Sequence, residues 1–135
     1  TYFVQVHRLT ATVVLLAVPV GFLITAILVV NNLRDINTDR MTGKRTLAVI
    51  IGTRGAKVEY ILLLAGAYVL PVVLCPVGLL PVWGLLSLFS LPLAVSWIRI
   101  ILTREGPALN QALAGTAKAT LLYSLLLSAG IVLAG

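Results

Sequence analysis

The chain has one cysteine, one histidine and one methionine in 135 residues, and only four acidic side chains. A single cysteine, Cys75, excludes an internal disulfide. A zinc centre needs clustered His and Cys ligands, and His7 and Cys75 lie far apart in the pattern described below. His7 reads as an interfacial residue and Cys75 as a small apolar turn residue. No acid falls on the side where His7 lies, which excludes a Ser–His–Asp arrangement. Charge is also scarce, at 10% of residues, where a soluble domain carries about 25%. With 60% hydrophobic residues and a mean hydropathy of +1.10, the apolar surface exceeds what a water-soluble core of this size can hide. The solvent is therefore lipid.

What is present is a set of long charge-free runs. A span needs about 20 apolar residues of helix, and no charge falls between Arg8 and Arg34. That run is full length and precedes no cleavage site with a soluble domain, so it reads as a span and not as a signal peptide. No charge falls between Glu59 and Arg99 either. One helix of that length would measure roughly 58 Å, so the run reads as two helices joined at "CPVGLLP", residues 75–81. The expectation is an all-α membrane protein with four transmembrane helices, near 11–33, 58–74, 81–101 and 118–135. Pro19 is tolerated inside a membrane helix. Pro71 and Pro92 are expected to kink theirs, and Trp83 and Trp97 to mark opposite ends of the third span. Residues 103–115 read as a polar, partly helical connection. Gly21, Gly66, Ala67 and Gly130 are small enough to let helices approach closely.

The net charge of +6 would suggest nucleic acid in a soluble protein. In a membrane protein it follows the positive-inside rule, and no nucleic-acid partner is expected. Residues 31–57 hold Arg34, Arg40, Lys44, Arg45, Arg54 and Lys57 against Asp35 and Asp39 in their polar part. Residues 99–118 hold Arg99, Arg104 and Lys118 against Glu105, and the turn at 75–81 has no charge. Both basic loops are expected to face the cytoplasm.

The most polar stretch is "NNLRDINTDRMTGKRT", residues 31–46. If the first helix continues into it, Asn31, Asp35 and Asp39 fall within about 80° of one another. Asn32 and Thr42 lie beside them, and Gly21 and Thr25 sit below on the same stripe. Two carboxylates with two amides form a hard-oxygen surface suited to Mg²⁺, which completes its shell with water and phosphate oxygens. Lys44 and Arg45 follow and could hold the anionic part of such a ligand. A salt-bridged, solvated helix face would show the same spacing. Arg34 and Arg40 could contact that anion too, but by helical angle they point away from the aspartates, so a loop role or an ion pair is equally open to them. A phosphate loop is excluded, because Thr38 and Arg45 stand where it needs glycine and a hydroxyl.

"NNLRDINTDRMTGKRTLAVIIG", residues 31–52, resembles the second aspartate-rich motif of the UbiA superfamily of intramembrane aromatic prenyltransferases. It is most similar to the branch acting on 1,4-dihydroxy-2-naphthoate in menaquinone biosynthesis. The closing "LNQALAGTAKATLLYSLLLSAGIVLAG", residues 109–135, is similar to that branch's C-terminus. The resemblance implies a nine-helix bundle of which these four spans are the last four. Nothing matches the family's first aspartate-rich motif. The chain opens on Thr1, with Met41 its only methionine, and is expected to be the C-terminal half of a longer protein, or a half-length relative.

The chemistry implied is Mg²⁺-dependent. Asp35 and Asp39 become metal ligands and catalytic residues, and Asn31, Asn32, Lys44 and Arg45 contact the diphosphate of a polyprenyl donor. The acceptor is dihydroxynaphthoate, the carboxylate leaves as CO₂, and the product is demethylmenaquinone. The alternatives are another aromatic acceptor, such as 4-hydroxybenzoate or a chlorin, or a non-catalytic half-length subunit binding lipid or quinone in a larger complex. The implied location is the bacterial inner membrane with the Asp35–Asp39 loop cytoplasmic, and the fragment alone is expected to be inactive.

Overall fold

The computed structural model describes residues 11–134; His7 and Arg8 lie outside them. Helix α1 (Ala11–Arg34) is followed by a short α2 (Ile36–Met41) and then by α3 (Leu47–Leu74). A turn leads into a 3-10 segment (Val82–Ser90) that runs directly into α4 (Leu91–Thr103). A single 3-10 turn (Gly106–Leu109) precedes α5 (Asn110–Leu133). Among the described residues, four helical stretches are long and apolar enough to cross a membrane: Val13–Arg34, Leu47–Leu74, Val82–Thr103 and Gly106–Leu133. No strand occurs among the described residues.

Two helix starts and one expected kink differ from the sequence reading. Helix α3 starts at Leu47, capped by Thr46, whose Oγ1 accepts from Val49 N at 3.4 Å. Arg54, Lys57 and Glu59 concealed that start, because they interrupt the apolar run without breaking the helix. The break falls at Gly52, at φ 76° and ψ 172°, a conformation open to glycine and costly for other residues. Helix α5 starts at Asn110, ahead of the expected 118. Pro92 does not kink a helix interior. It sits in the first turn of α4, where a missing N–H costs nothing, at the switch from 3-10 to α winding.

Inside the bundle, buried hydroxyls must find partners, because lipid offers none. Thr116 donates to Ala112 O at 2.7 Å, so Tyr60 donates to Thr116 at 3.0 Å. Ser90 likewise donates to Ser87 O at 2.7 Å and accepts from Tyr68 at 2.8 Å. Tyr123 donates to Ala67 O at 2.8 Å and meets Tyr68 edge-on at 5.3 Å. These bonds join α3 to α5 and to the 3-10 segment. Helix α1 packs chiefly on α3, and α5 chiefly on the 3-10 segment. There Gly130 lies against the backbone of Trp83 and Gly84.

Trp83 is 56% exposed, as an interfacial aromatic would be. Trp97 is not so placed. Its indole lies over Gly115 of α5, and its Nε1 is buried without a partner.

The two basic loops lie at the same end of the bundle. Lys57 Nζ donates to Leu102 O at 3.0 Å, in the last turn of α4. Arg34 reaches Asn110 at the head of α5.

Candidate functional site

The site forms where α1 gives way to α2. Asp35 stands between them at φ −96° and ψ 6°. The helical bonding continues across the junction, with Asp35 N to Asn31 O at 3.2 Å and Asp39 N to Asp35 O at 2.9 Å. Asn31, Asp35 and Asp39 therefore follow one another at one-turn intervals.

The two carboxylates have different surroundings. Asp35 is half-exposed and is held by Arg34, Nε to Oδ1 at 2.8 Å and Nη2 to Oδ2 at 2.6 Å. The Arg34 hydrogen bonds hold the Asp35 carboxyl below its ordinary value against the opposing effect of burial, helped by the charges of Arg34 and Lys44. Asp39 is only 6% exposed. Its Oδ1 lies 3.4 Å from Lys44 Nζ, and its Oδ2 is buried with no hydrogen-bond partner. Lys44 also closes the turn through its backbone, N to Asp39 O at 2.9 Å.

Arg34 does not point away from the aspartates, as the helical angle suggested. Adjacent residues are 100° apart, and the long guanidinium stem spans that gap at the α1–α2 junction. Nη2 also donates to Asn31 Oδ1 at 3.0 Å, and Nη1 to Asn110 Oδ1 at 3.0 Å. Asn110 is the site residue that sequence reasoning missed. Its only local signal was an amide closing the proline-containing connection, and its partner is 76 residues away. Asn32 is half-buried, whereas Arg40 and Arg45 are exposed and make no ion pair among the described residues.

Below the amides, α1 and α5 leave an apolar cleft of about 460 Å³. Ile24, Ile27 and Leu28 line it on one side, Leu113, Ala114 and Ala117 on the other, and Asn31 and Asn110 stand at its head. A second cleft of about 440 Å³ continues between the same helices toward Val13 and Ile131. The groove thus differs from the expected Gly21–Thr25 stripe. Gly21 faces open space, and Thr25 spends its hydroxyl on Gly21 O at 2.8 Å.

The oxygens suit a hard divalent cation. The buried, unpartnered Asp39 Oδ2 is the kind of atom such an ion would satisfy. No group of three or more His, Cys, Asp or Glu converges among the described residues. Mg²⁺ is held by one or two carboxylates beside water and phosphate oxygens, and Asp35 and Asp39 fall within that number.

The sequence profile of the UbiA prenyltransferase family matches residues 1–125. The chain belongs to the UbiA prenyltransferase family. Among curated UbiA-related proteins, it is 38% identical over 134 residues to the 1,4-dihydroxy-2-naphthoate octaprenyltransferase of Escherichia coli (strain K12), covering 98% of this chain and 44% of that protein. It is 35% identical over 136 residues to the protein of the same name from Mycobacterium leprae (strain TN), covering 100% of this chain and 45% of the relative. It is also 35% identical over 136 residues to UbiA prenyltransferase domain-containing protein 1 of Mus musculus, covering 98% and 38% respectively. The chain spans less than half the length of these UbiA relatives. No solved structure matches it significantly.

Proposed function

We propose that this chain is the C-terminal part of a membrane prenyltransferase that transfers a polyprenyl group from polyprenyl diphosphate to 1,4-dihydroxy-2-naphthoate. The observation carrying this reading is the pairing of a polar head with an apolar trough. Asn31 and Asn110 stand at the head of an apolar cleft between α1 and α5, Arg34 joins both amides to Asp35, and Asp39 follows one helical turn beyond Asp35. A polyprenyl diphosphate has the same two halves. Its tail would lie along Ile24, Leu28 and Leu113, and its diphosphate beside the amides.

Asp35 and Asp39 would hold Mg²⁺, which when bound neutralises the charge growing on the leaving diphosphate. Lys44, beside Asp39, and the exposed Arg45 supply positive charge for the same anion. The apolar walls below keep water from the allylic carbon. The allylic C–O bond breaks and its electrons leave with diphosphate. The ring carbon bearing the carboxylate forms the new C–C bond. The carboxylate departs as CO₂, returning its bonding electrons to the ring. The product is the quinol form of demethylmenaquinone. Asp35 and Asp39 would lie on the cytoplasmic side of a bacterial inner membrane, an orientation supported by the uncharged turn at 75–81 and the basic loops at the opposite end.

The test is prenyl transfer by the intact protein in detergent, with dihydroxynaphthoate, 4-hydroxybenzoate and a chlorin offered in parallel. Naphthoate-selective transfer that stops on chelation of Mg²⁺ and in Asp39→Asn is expected. Transfer to another acceptor would redirect the substrate assignment. Undiminished turnover without metal and in Asp39→Asn would reject the mechanism, and no transfer to any acceptor would favour a non-catalytic subunit.

A further inference from the structure

Arg34 engages four of its five N–H donors at once. Two hold Asp35, one holds Asn31 on the same helix, and one crosses to Asn110 on α5. This is more than an exposed ion pair requires, and it presents a conflict if Asp35 also serves a cation. Both carboxylate oxygens point into the guanidinium fork, and a fixed positive charge beside a divalent ion repels it. We propose that Arg34 is a positioning residue that neutralises and orients Asp35 while the site is empty, then passes to the donor's diphosphate when the cation takes Asp35, pivoting on Asn110. This rests on the prenyl-transfer reading of the same site.

The arrangement supports the exchange in three ways. The guanidinium fork matches phosphate and carboxylate equally well. Asn110 Oδ1, 3.0 Å from Nη1, is a neutral anchor that keeps the group at the site after Asp35 is released. Asn31 and Asn110 line the head of the apolar cleft, so the released fork stays where the diphosphate end of a lipid-tailed donor would lie. The side chain is 26% exposed, which leaves it room to turn.

The experiment uses the intact protein in detergent and Mn²⁺ as a paramagnetic probe, titrated without donor. The donor KM and kcat are then measured separately, and helicity and thermal unfolding establish that each variant is folded. Arg34→Gln should bind Mn²⁺ roughly tenfold more tightly, as expected for removing one nearby unit charge in water-like surroundings. Its donor KM should rise about tenfold or more, with a smaller change in kcat. Arg34→Lys keeps the charge without the fork, so it should restore wild-type Mn²⁺ affinity but not donor KM. Asn110→Ala should leave Mn²⁺ binding unchanged and raise donor KM. A purely structural Arg34 predicts weaker Mn²⁺ binding in Arg34→Gln, in the same direction as Asp35→Asn. That result, or unchanged values in both assays, overturns the proposal while leaving the metal-site reading intact. Wild-type protein that binds no Mn²⁺, or Asp35→Asn and Asp39→Asn variants that bind it as well as wild type, would overturn both.

Discussion

Lys44 Nζ stands 3.4 Å from one oxygen of Asp39, and the other oxygen of that carboxylate is buried with no partner. A buried anionic oxygen left unsatisfied costs stability, so this residue is not there for the fold alone. Asp39→Asn should therefore separate function from folding. Prenyl transfer by the intact protein should fall roughly 100-fold or more, the scale seen when a transition-state charge contact is removed. Thermal unfolding in detergent should stay level or rise, because the amide removes a buried charge. A variant that unfolds early and keeps its residual specific activity would contradict this.

Asp35 makes a pH prediction of definite sign. Its carboxyl is held below the ordinary value, first by the Arg34 hydrogen bonds and then by the charges of Arg34 and Lys44. Its contribution is therefore fully present above the ordinary carboxylate value of 3.8 and is lost as pH falls through the lowered one. The group is more than a third exposed, so its effect on stability is small, and metal binding is the better readout. Protons should begin to compete for Asp35 only below the range in which an ordinary carboxylate titrates. In Arg34→Gln that competition should move upward, measured as Mn²⁺ binding against pH.

The four apolar helices were legible because their charge-free runs exceed what any turn or soluble core would need. Asn31, Asp35 and Asp39 were legible at one-turn intervals because a continuing helix repeats every turn, whereas Lys44 read only as a basic residue following them. The start of α3 at Leu47 was not, since Arg54, Lys57 and Glu59 hide it in a hydropathy count while Thr46 caps it normally. Arg34 was misjudged because helical angle describes where a side chain leaves the backbone, not where a long flexible one ends. Asn110 offered only an amide closing the proline-containing connection, and only folding brings it to Arg34. Trp97 read as an interfacial aromatic because its spacing from Trp83 matches a span, but Gly115 opposite makes room for it inside the bundle.

The tyrosine hydroxyls hold α3 to its neighbours, which gives a graded stability series. Tyr123→Phe removes a donor to Ala67 O, and Tyr60→Phe removes a donor to Thr116. Interhelical bonds of this type average about 0.6 kcal/mol in membrane proteins, because the membrane-unfolded state also finds partners. Each single variant should lose about that much in reversible unfolding from mixed micelles, with transfer activity retained. The two bonds share no partner, so the double variant should show close to the sum.

Gly130 tests a close contact between α5 and the backbone of the 3-10 segment. A Cβ there would meet the carbonyl of Trp83 and the amide of Gly84, which are main-chain atoms and cannot rotate aside. Overpacking of this kind costs typically about 1–3 kcal/mol, so Gly130→Ala should lower the unfolding temperature of the intact protein measurably. Gly21→Ala is the matched control. It lies within helix α1 with nothing inside 4 Å of the new methyl, and it should be neutral or slightly stabilising. Equal losses in the two variants would mean that α5 does not press against the 3-10 segment as described. A loss confined to Gly130→Ala would fix that contact and, through α5, the position from which Asn110 reaches Arg34.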